Sequence, residues 1–267
     1  MFLFSRKALR PRRFAALSSV GQTDKGTTVD FMSVVAEAAR KASPALIEGL
    51  SSKGWVCLDN FLGPEWSPAL RAEAVHYYNS GYFSVSQSSR YDAATGGVHL
   101  YDKQNVFAMQ LEGGDSYYEG PLLHEYIVSL TQTLAPILSE AFPEAHLNAQ
   151  YASNKLAVCT GSGSAYEKHY DNSGGDDVRK LTVLYYLNQW RPDMGGQFRI
   201  FGEQGTVDVE PVADRLLVFW SDVLVHSVLP SEAKDAAEHR YALTLWLTCD
   251  GPQYIEKDSA QVKRHFD

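Results

Sequence analysis

The sequence predicts a mainly β fold, a barrel, sandwich or jelly roll with helices packed on its outside. Three observations predict it. After residue 150, short alternating or apolar segments follow one another: "NKLAVCT", "YEKHYD", "RKLTVLYYLNQW", "GQFRIFG", "TVDVEP", "DRLLVFW", "LVHSVLP" and "RYALTLWLT". Gly, Pro, Asn and Asp separate them, which is how strands joined by turns are punctuated. Before residue 150 the apolar residues recur mostly at helical spacing instead.

Each element follows from its own residues. Residues 1–27 form a basic segment in which Arg6, Lys7, Arg10, Arg12 and Arg13 precede the first acid, Asp24. An acid-free start with Arg and Ser reads as an organellar transit peptide or as a disordered basic tail. Over 28–50, Phe31, Val34, Val35 and Ala38 fall on one helical stripe, and Gly49 and Gly54 end it. "GWVCLDNFL" at 54–62 reads as a strand into a turn. Residues 63–81 are a second helix, with Pro64 near its start and Gly81 past its end. Residues 82–118, rich in Ser, Gly, Tyr and Asp, read as a long loop with short strands, a candidate lid over the site. A third helix over 120–143 is expected to break or bend at Pro136. One domain is expected over 28–267, its β core at about 150–250.

Composition narrows the function. The chain has 267 residues, 45% hydrophobic and 21% charged, which is ordinary globular composition and enough length for a substantial core. A net charge of -8 argues against a general nucleic-acid binder. No apolar run is long enough to span a membrane. Cys57, Cys159 and Cys249 lie far apart with no CxxC pair, so there is no zinc-finger signal. They fit reduced thiols in the cytoplasm or nucleus, or in a mitochondrion or plastid if residues 1–20 are a transit peptide.

The chemistry concentrates in "YEKHYDNSGGDD" at 166–177. On a strand, His169 and Asp171 point the same way, as a metal site, a catalytic pair or a plain hydrogen bond would need. His226 in "SDVLVHSVLP" is the candidate third ligand, on a strand with Leu224 and Val228 on its own face. Two imidazoles and one carboxylate make the facial set that binds Fe(II) and leaves coordination positions open. The plainer alternative is a His169–Asp171 hydrogen bond with His226 as a core histidine. His76, His99, His124, His146 and His239 carry no partner pattern and read as structural or surface residues.

Arg240 shifts the balance toward a site. In "HRYALTLWL", Arg240, Ala242, Thr244 and Trp246 share one face, while Tyr241, Leu243, Leu245 and Leu247 share a wholly apolar one. A guanidinium on an inward face must meet an anion, either an internal Asp or Glu or the carboxylate of a ligand. In "KLTVLYYLN", Thr182, Leu184 and Tyr186 align, so the Tyr186 hydroxyl can donate to the same carboxylate. Fe(II), Asp171 and Arg240 together leave a surplus of two positive charges, which a small dicarboxylate would neutralise. 2-Oxoglutarate has that charge, chelates through one end, and leaves a position for O2.

The ordered blocks "HYDN", "LTVLYYLNQW", "GGQFRIF", "VEPVADRLLVFWSD", "VHSVLP" and "RYALTLW" resemble the prolyl hydroxylase-domain oxygen sensors of the hypoxia pathway, which are Fe(II)- and 2-oxoglutarate-dependent dioxygenases. The similarity is strong over about 155–250 and visible back to "GWVCLDNFL". It implies a double-stranded β-helix (cupin-like jelly roll) core with flanking helices. It implies iron at His169, Asp171 and His226, and 2-oxoglutarate at Arg240 and Tyr186 with Leu184, Thr244 and Trp246 lining the pocket. It implies hydroxylation of a prolyl residue in a protein or peptide, with release of succinate and CO2, stimulation by L-ascorbate, and a monomeric chain. Arg179 is either a substrate contact or a solvated surface arginine. Cys159 stands where the family often has a tyrosine reaching the cofactor, an extra residue lies between Asp171 and Tyr186, and "SEAKDAAE" at 231–238 is a longer turn. The rival readings are the same chemistry on a non-prolyl or small-molecule substrate, a cupin-like metalloenzyme that does not use O2, and a non-catalytic binding module.

Overall fold

The computed structural model describes residues 20–22, 28–92, 97–172, 174, 176–203 and 205–250. Most of the basic segment over 1–27 lies outside the described residues. Two short strands, β1 (Val20–Gln22) and β2 (Thr28–Asp30), pair antiparallel and lead into helix α1 (Phe31–Lys53). Phe31, Val35, Ala39, Leu46 and Leu50 of α1 are buried. The helix runs through Gly49 and stops at Gly54, whose φ of 76° suits a left-handed cap. Gly49 is therefore not a terminator. A Cβ there would stand 2.6 Å from Cβ of Val56, so the glycine permits close approach of helix to strand.

Strand β3 (Trp55–Leu58) precedes helix α2 (Trp66–Asn79). Where the sequence predicted mostly loop, the chain forms a long antiparallel hairpin, β4 (Ser84–Asp92) and β5 (Gly97–Met109). Its composition hid it, because an edge hairpin rich in Ser, Tyr and Asp lacks the apolar alternation that marks a half-buried strand. Helix α3 (Pro121–Ala141) is continuous through Pro136, held by buried Leu134, Ala135 and Leu138 around the proline. Glu73 of α2 accepts the Leu122 and Leu123 backbone N–H groups at 3.0 and 2.9 Å, capping the start of α3 with a carboxylate.

All the strands expected beyond residue 150 form. They are β6 (Leu147–Cys159), β7 (Ser164–His169), β8 (Arg179–Tyr186), β9 (Phe198–Gly202), β10 (Gly205–Val209), β11 (Leu216–Trp220), β12 (His226–Ser231) and β13 (Arg240–Cys249). One sheet runs β3-β11-β8-β13-β6-β5-β4 and a second runs β10-β9-β12-β7, with antiparallel pairing throughout.

The layers follow from strand alternation. Tyr241, Leu243, Leu245 and Leu247 of β13, Leu156 and Val158 of β6, and Leu181, Val183 and Tyr185 of β8 pack with the three helices. The opposite faces, through Leu184, Tyr186, Leu217, Phe219 and Ala242, meet Phe198, Ile200, Val209 and Val228 of the smaller sheet. The result is a helix–sheet–sheet stack, the mainly β fold expected, and the polar face of β13 looks into the gap between sheets. Asp214, buried at φ 62°, accepts from Leu62 N, Gly63 N and the Tyr185 hydroxyl at 2.7, 2.8 and 2.7 Å, tying the turn before β11 to the segment after β3.

Candidate metal and cosubstrate site

His169 is the last residue of β7 and His226 the first of β12, and the two are register partners. Asp171 lies in the bend just after β7, and Leu224 lies before β12 rather than within it. The two imidazoles thus meet by strand pairing, and the turn after β7 brings the carboxylate back between them. One ligand atom from each residue lies within 4.8 Å of the others. The His169 and His226 Nε2 atoms stand 3.6 and 3.7 Å from Asp171 Oδ1.

The surroundings aim these atoms. His169 Nδ1 donates to the Glu167 carbonyl at 2.6 Å and His226 Nδ1 to the Leu224 carbonyl at 3.1 Å. A carbonyl can only accept, so both Nδ1 atoms carry the proton and both Nε2 lone pairs face the centre. Phe198 stacks on the His226 ring at 4.7 Å and Phe219 meets it edge-on at 5.0 Å. Asp171 divides its work: Oδ2 accepts from Thr182 Oγ1 at 2.7 Å and Trp246 Nε1 at 3.2 Å, which leaves Oδ1 to the histidines. Burial alone would raise the Asp171 carboxyl, but His226, His169 and Thr182 together hold it well below the usual carboxylate range. Burial, then His169, pushes His226 down to about 4, so at neutral pH it is an uncharged donor. Two imidazole nitrogens and an ionised carboxylate oxygen suit a divalent cation such as Fe(II).

Across the gap, β13 and β8 build an anion pocket. Arg240 is 6% exposed, and its Nε donates to the Gly196 carbonyl at 2.8 Å. Among the described residues no Asp or Glu forms an ion pair with it. Its guanidinium lies 5.3 Å from the Tyr186 ring. The Tyr186 hydroxyl is fully buried with no partner at full hydrogen-bond geometry, and the neighbouring Arg240 guanidinium favours its ionised form. Burial pushes that phenol up to about 12, so it remains a proton donor. A buried cation without a counter-charge beside a buried hydroxyl is what a ligand carboxylate requires. Leu184 and Thr244 are register partners on the faces of β8 and β13 that carry Tyr186 and Arg240, and Trp246 of that face donates to Asp171.

The chain matches the profile of the 2OG-Fe(II) oxygenase superfamily over residues 155–248. It is 31% identical over 229 residues to "Prolyl hydroxylase EGLN3" of Mus musculus, covering 83% of this chain and 87% of that protein. The chain belongs to this family of prolyl hydroxylase-like 2-oxoglutarate- and Fe(II)-dependent oxygenases. The oxygenase is also 40% identical over 222 residues to "Egl nine homolog 1" of Homo sapiens, covering 78% of this chain and about half, 47%, of that protein. Its fold matches a prolyl hydroxylase solved with a hypoxia inducible factor oxygen degradation domain peptide fragment, from Trichoplax adhaerens. That match has a TM-score of 0.60 and 28% identity, covering 79% of this chain and 90% of the other.

The remaining sequence expectations about the oxygenase's site divide. Arg179 is not a free surface arginine: its Nε bonds Asp177 Oδ1 at 3.0 Å and its guanidinium lies 5.1 Å from the Trp246 ring. Cys159 ends β6 as the register partner of Arg240, buried at 1% exposure. His239 points away from the gap, with its ring 5.8 Å from Tyr78. His76 pairs with Glu119 at 2.7 Å and His124 bonds the Gly120 carbonyl, both remote from the site. Sequence reasoning missed the role of Thr182 at the Asp171 carboxylate, although it placed Thr182 on the same face as Tyr186. It also missed Phe198 and Phe219, which look like plain core residues, and Tyr166, whose ring stacks with His169 at 6.5 Å. Of these, only Thr182 left a signal, a hydroxyl on an otherwise apolar strand.

Proposed function

We propose that this oxygenase hydroxylates a prolyl residue in a protein substrate, consuming 2-oxoglutarate and O2 and yielding succinate and CO2. The supporting observation is the pairing of a three-ligand centre with an uncompensated buried arginine across one gap. His169, Asp171 and His226 would hold Fe(II), and Arg240 with Tyr186 would grip the far carboxylate of 2-oxoglutarate over Leu184 and Thr244. The metal supplies redox chemistry with O2 that amino-acid side chains lack.

The chain's own residues do the rest. The Nδ1 bonds to the Glu167 and Leu224 carbonyls fix both ring orientations before a ligand arrives. His226, His169 and Thr182 keep Asp171 ionised, and Thr182 with Trp246 engages Oδ2, leaving Oδ1 free. Phe198, Phe219 and Leu217 exclude water behind the histidines. Arg240 and Tyr186 set the depth to which a dicarboxylate enters.

The prolyl target rests on the relatives' names together with 31% identity across most of both chains. L-Ascorbate as a stimulant, a monomeric chain, and a cytoplasmic or nuclear compartment accompany this reading. Three free thiols fit that compartment, and no helix among the described residues is long and apolar enough to cross a membrane. The β4–β5 hairpin, beside β6, is the candidate flap over a bound peptide. Succinate release from 2-oxoglutarate, compared in air and under argon with proline-containing peptides, tests the reading. Mass spectrometry should find one added oxygen on proline. Succinate release indifferent to O2 would overturn the oxygenase chemistry, and oxygen on another residue the target.

A further inference from the structure

Leu156 and Val158 of β6 face the helices, so the alternate residues Lys155, Ala157 and Cys159 face the gap between sheets. Lys155 is the register partner of Thr244, and Cys159 that of Arg240. A lysine therefore stands on the interior face of the pocket, one strand from the residues assigned to 2-oxoglutarate. Lys103 of β5 joins it. The Lys103 and Lys155 Nζ atoms lie 4.3 and 5.2 Å from the centre of the same ring, that of Tyr166. That ring in turn stacks with the imidazole of His169 at 6.5 Å. Both lysines are half-buried, and among the described residues neither has a carboxylate at ion-pair distance. Cys159, Asp171 and Glu167 are the acidic groups whose fields reach Lys103; Cys159 is a buried thiol, Asp171 is engaged by the histidines, Thr182 and Trp246, and the Tyr101 hydroxyl donates to Glu167 at 3.1 Å.

Charge counting makes this pair unusual. Fe(II), Asp171 and Arg240 are balanced by one 2-oxoglutarate dianion. Lys103 and Lys155 bring two further amino groups beside the same gap; burial lowers both below the ordinary lysine value, and a neighbouring cation, Lys155 for Lys103 and Arg179 for Lys155, lowers each further. Burial, then Lys155, pushes Lys103 down to about 8, still charged at neutral pH. An anion brought between them would favour the charged form of both, and among the described residues no carboxylate stands at ion-pair distance from either. Aromatic support from Tyr166 orients both ammonium groups without neutralising them.

We propose that Lys103 and Lys155 form a carboxylate-binding subsite at the edge of the active-site gap, which receives an acidic side chain of the substrate near the target proline. This rests on the prolyl hydroxylase reading above. The substrate is the favoured source because the pocket's free dicarboxylate already has both ends engaged, whereas a side chain tethered to bound peptide reaches the pair at high effective concentration. The pair thus sets specificity and takes no part in the metal chemistry.

The test is hydroxylation of a degenerate peptide library with one fixed proline, loaded with Fe(II) and 2-oxoglutarate and sequenced for hydroxyproline products. Wild type should enrich Asp or Glu over Asn or Gln about tenfold at one flanking position, the ratio for a charge-assisted hydrogen bond of about 1.4 kcal/mol. Lys103→Met with Lys155→Met keeps the long apolar stems and should abolish the enrichment while hydroxyproline still forms across the library and the thermal melt is unchanged. Lys103→Arg with Lys155→Arg should restore it. A flat profile in wild type, or enrichment surviving in the double methionine variant, overturns the subsite alone. A library with no hydroxyproline, while succinate is still released, overturns both the prolyl reading and the subsite. A second calorimetric succinate-binding event, lost in the double methionine variant, would give the pair to a free acid and overturn the substrate assignment.

Discussion

Thr182→Val isolates what orients the Asp171 carboxylate, proposed as a metal ligand. Thr182 has no solvent exposure, and its hydroxyl donates to Asp171 Oδ2 at 2.7 Å and shares a 2.8 Å bond with Ser221. Valine matches the shape and strand preference of threonine and lacks only the hydroxyl. A buried hydrogen bond to a charged group contributes about 1.5–3 kcal/mol, or about 10–100-fold in an equilibrium constant. Trp246 Nε1, at 3.2 Å, remains on Oδ2 but cannot alone stop the carboxylate from rotating. Co(II) affinity, read by visible absorption during titration of metal-free protein, should therefore fall about 10–100-fold, the range for losing an outer partner of a metal ligand. Thr182→Ser keeps the hydroxyl and should stay within a few-fold of wild type. The thermal melt of metal-free protein separates folding from coordination. Unchanged Co(II) affinity in the valine variant, with a lowered melt, would refute the reasoning and reduce Thr182 to a packing residue.

Other perturbations reach other parts of the molecule. Arg240→Lys should weaken 2-oxoglutarate binding by about 1–3 kcal/mol in calorimetry with Mn(II), and unchanged affinity would remove Arg240 from the pocket. Gly196 sits at φ 73°, and a Cβ there would lie 2.9 Å from Arg240 Cδ; Gly196→Ala should cost about 1–2 kcal/mol of stability in urea and weaken 2-oxoglutarate binding as well. Asp214→Ala strands the Leu62 and Gly63 N–H groups and the Tyr185 hydroxyl, and should cost about 3–5 kcal/mol by chemical denaturation. Burial raises Glu73 to about 7 against an ordinary 4.5, despite its backbone hydrogen bonds. Its folded form holds a proton that its unfolded form has lost, so this group's contribution is fully present below about pH 4.5 and is lost as pH rises through about 7. The wild-type melting temperature should therefore fall more steeply between pH 5 and 8 than that of Glu73→Gln; parallel profiles would contradict the shift.

How much was legible depended on whether a residue's role showed in its own strand. The two faces of β13 could be read directly, because Arg240, Thr244 and Trp246 alternate with four apolar residues. The candidate ligands were legible as residue types, while their convergence came from the family resemblance: His169 and His226 meet through the pairing of β7 with β12, a long-range register that spacing does not encode. The β4–β5 hairpin escaped notice because much of its length carries polar residues on both faces. Pro136 misled because a local rule about helix interiors was overridden by the burial of its neighbours. Lys155 was passed over for the opposite reason. A lone lysine on a strand reads as solvent-facing, and only its register with Thr244 shows that it points inward.

The two sheets contribute unlike halves to the pocket: the smaller brings the imidazoles, the larger the guanidinium and the phenol. On the proposed reading, a dianion held at both ends would be a rivet through the sandwich, and turnover would destroy that rivet each time. Resistance to heat and to proteases should accordingly track the supply of the oxygenase's own fuel, because a molecule deprived of 2-oxoglutarate loses a fastening between its layers as well as a reactant.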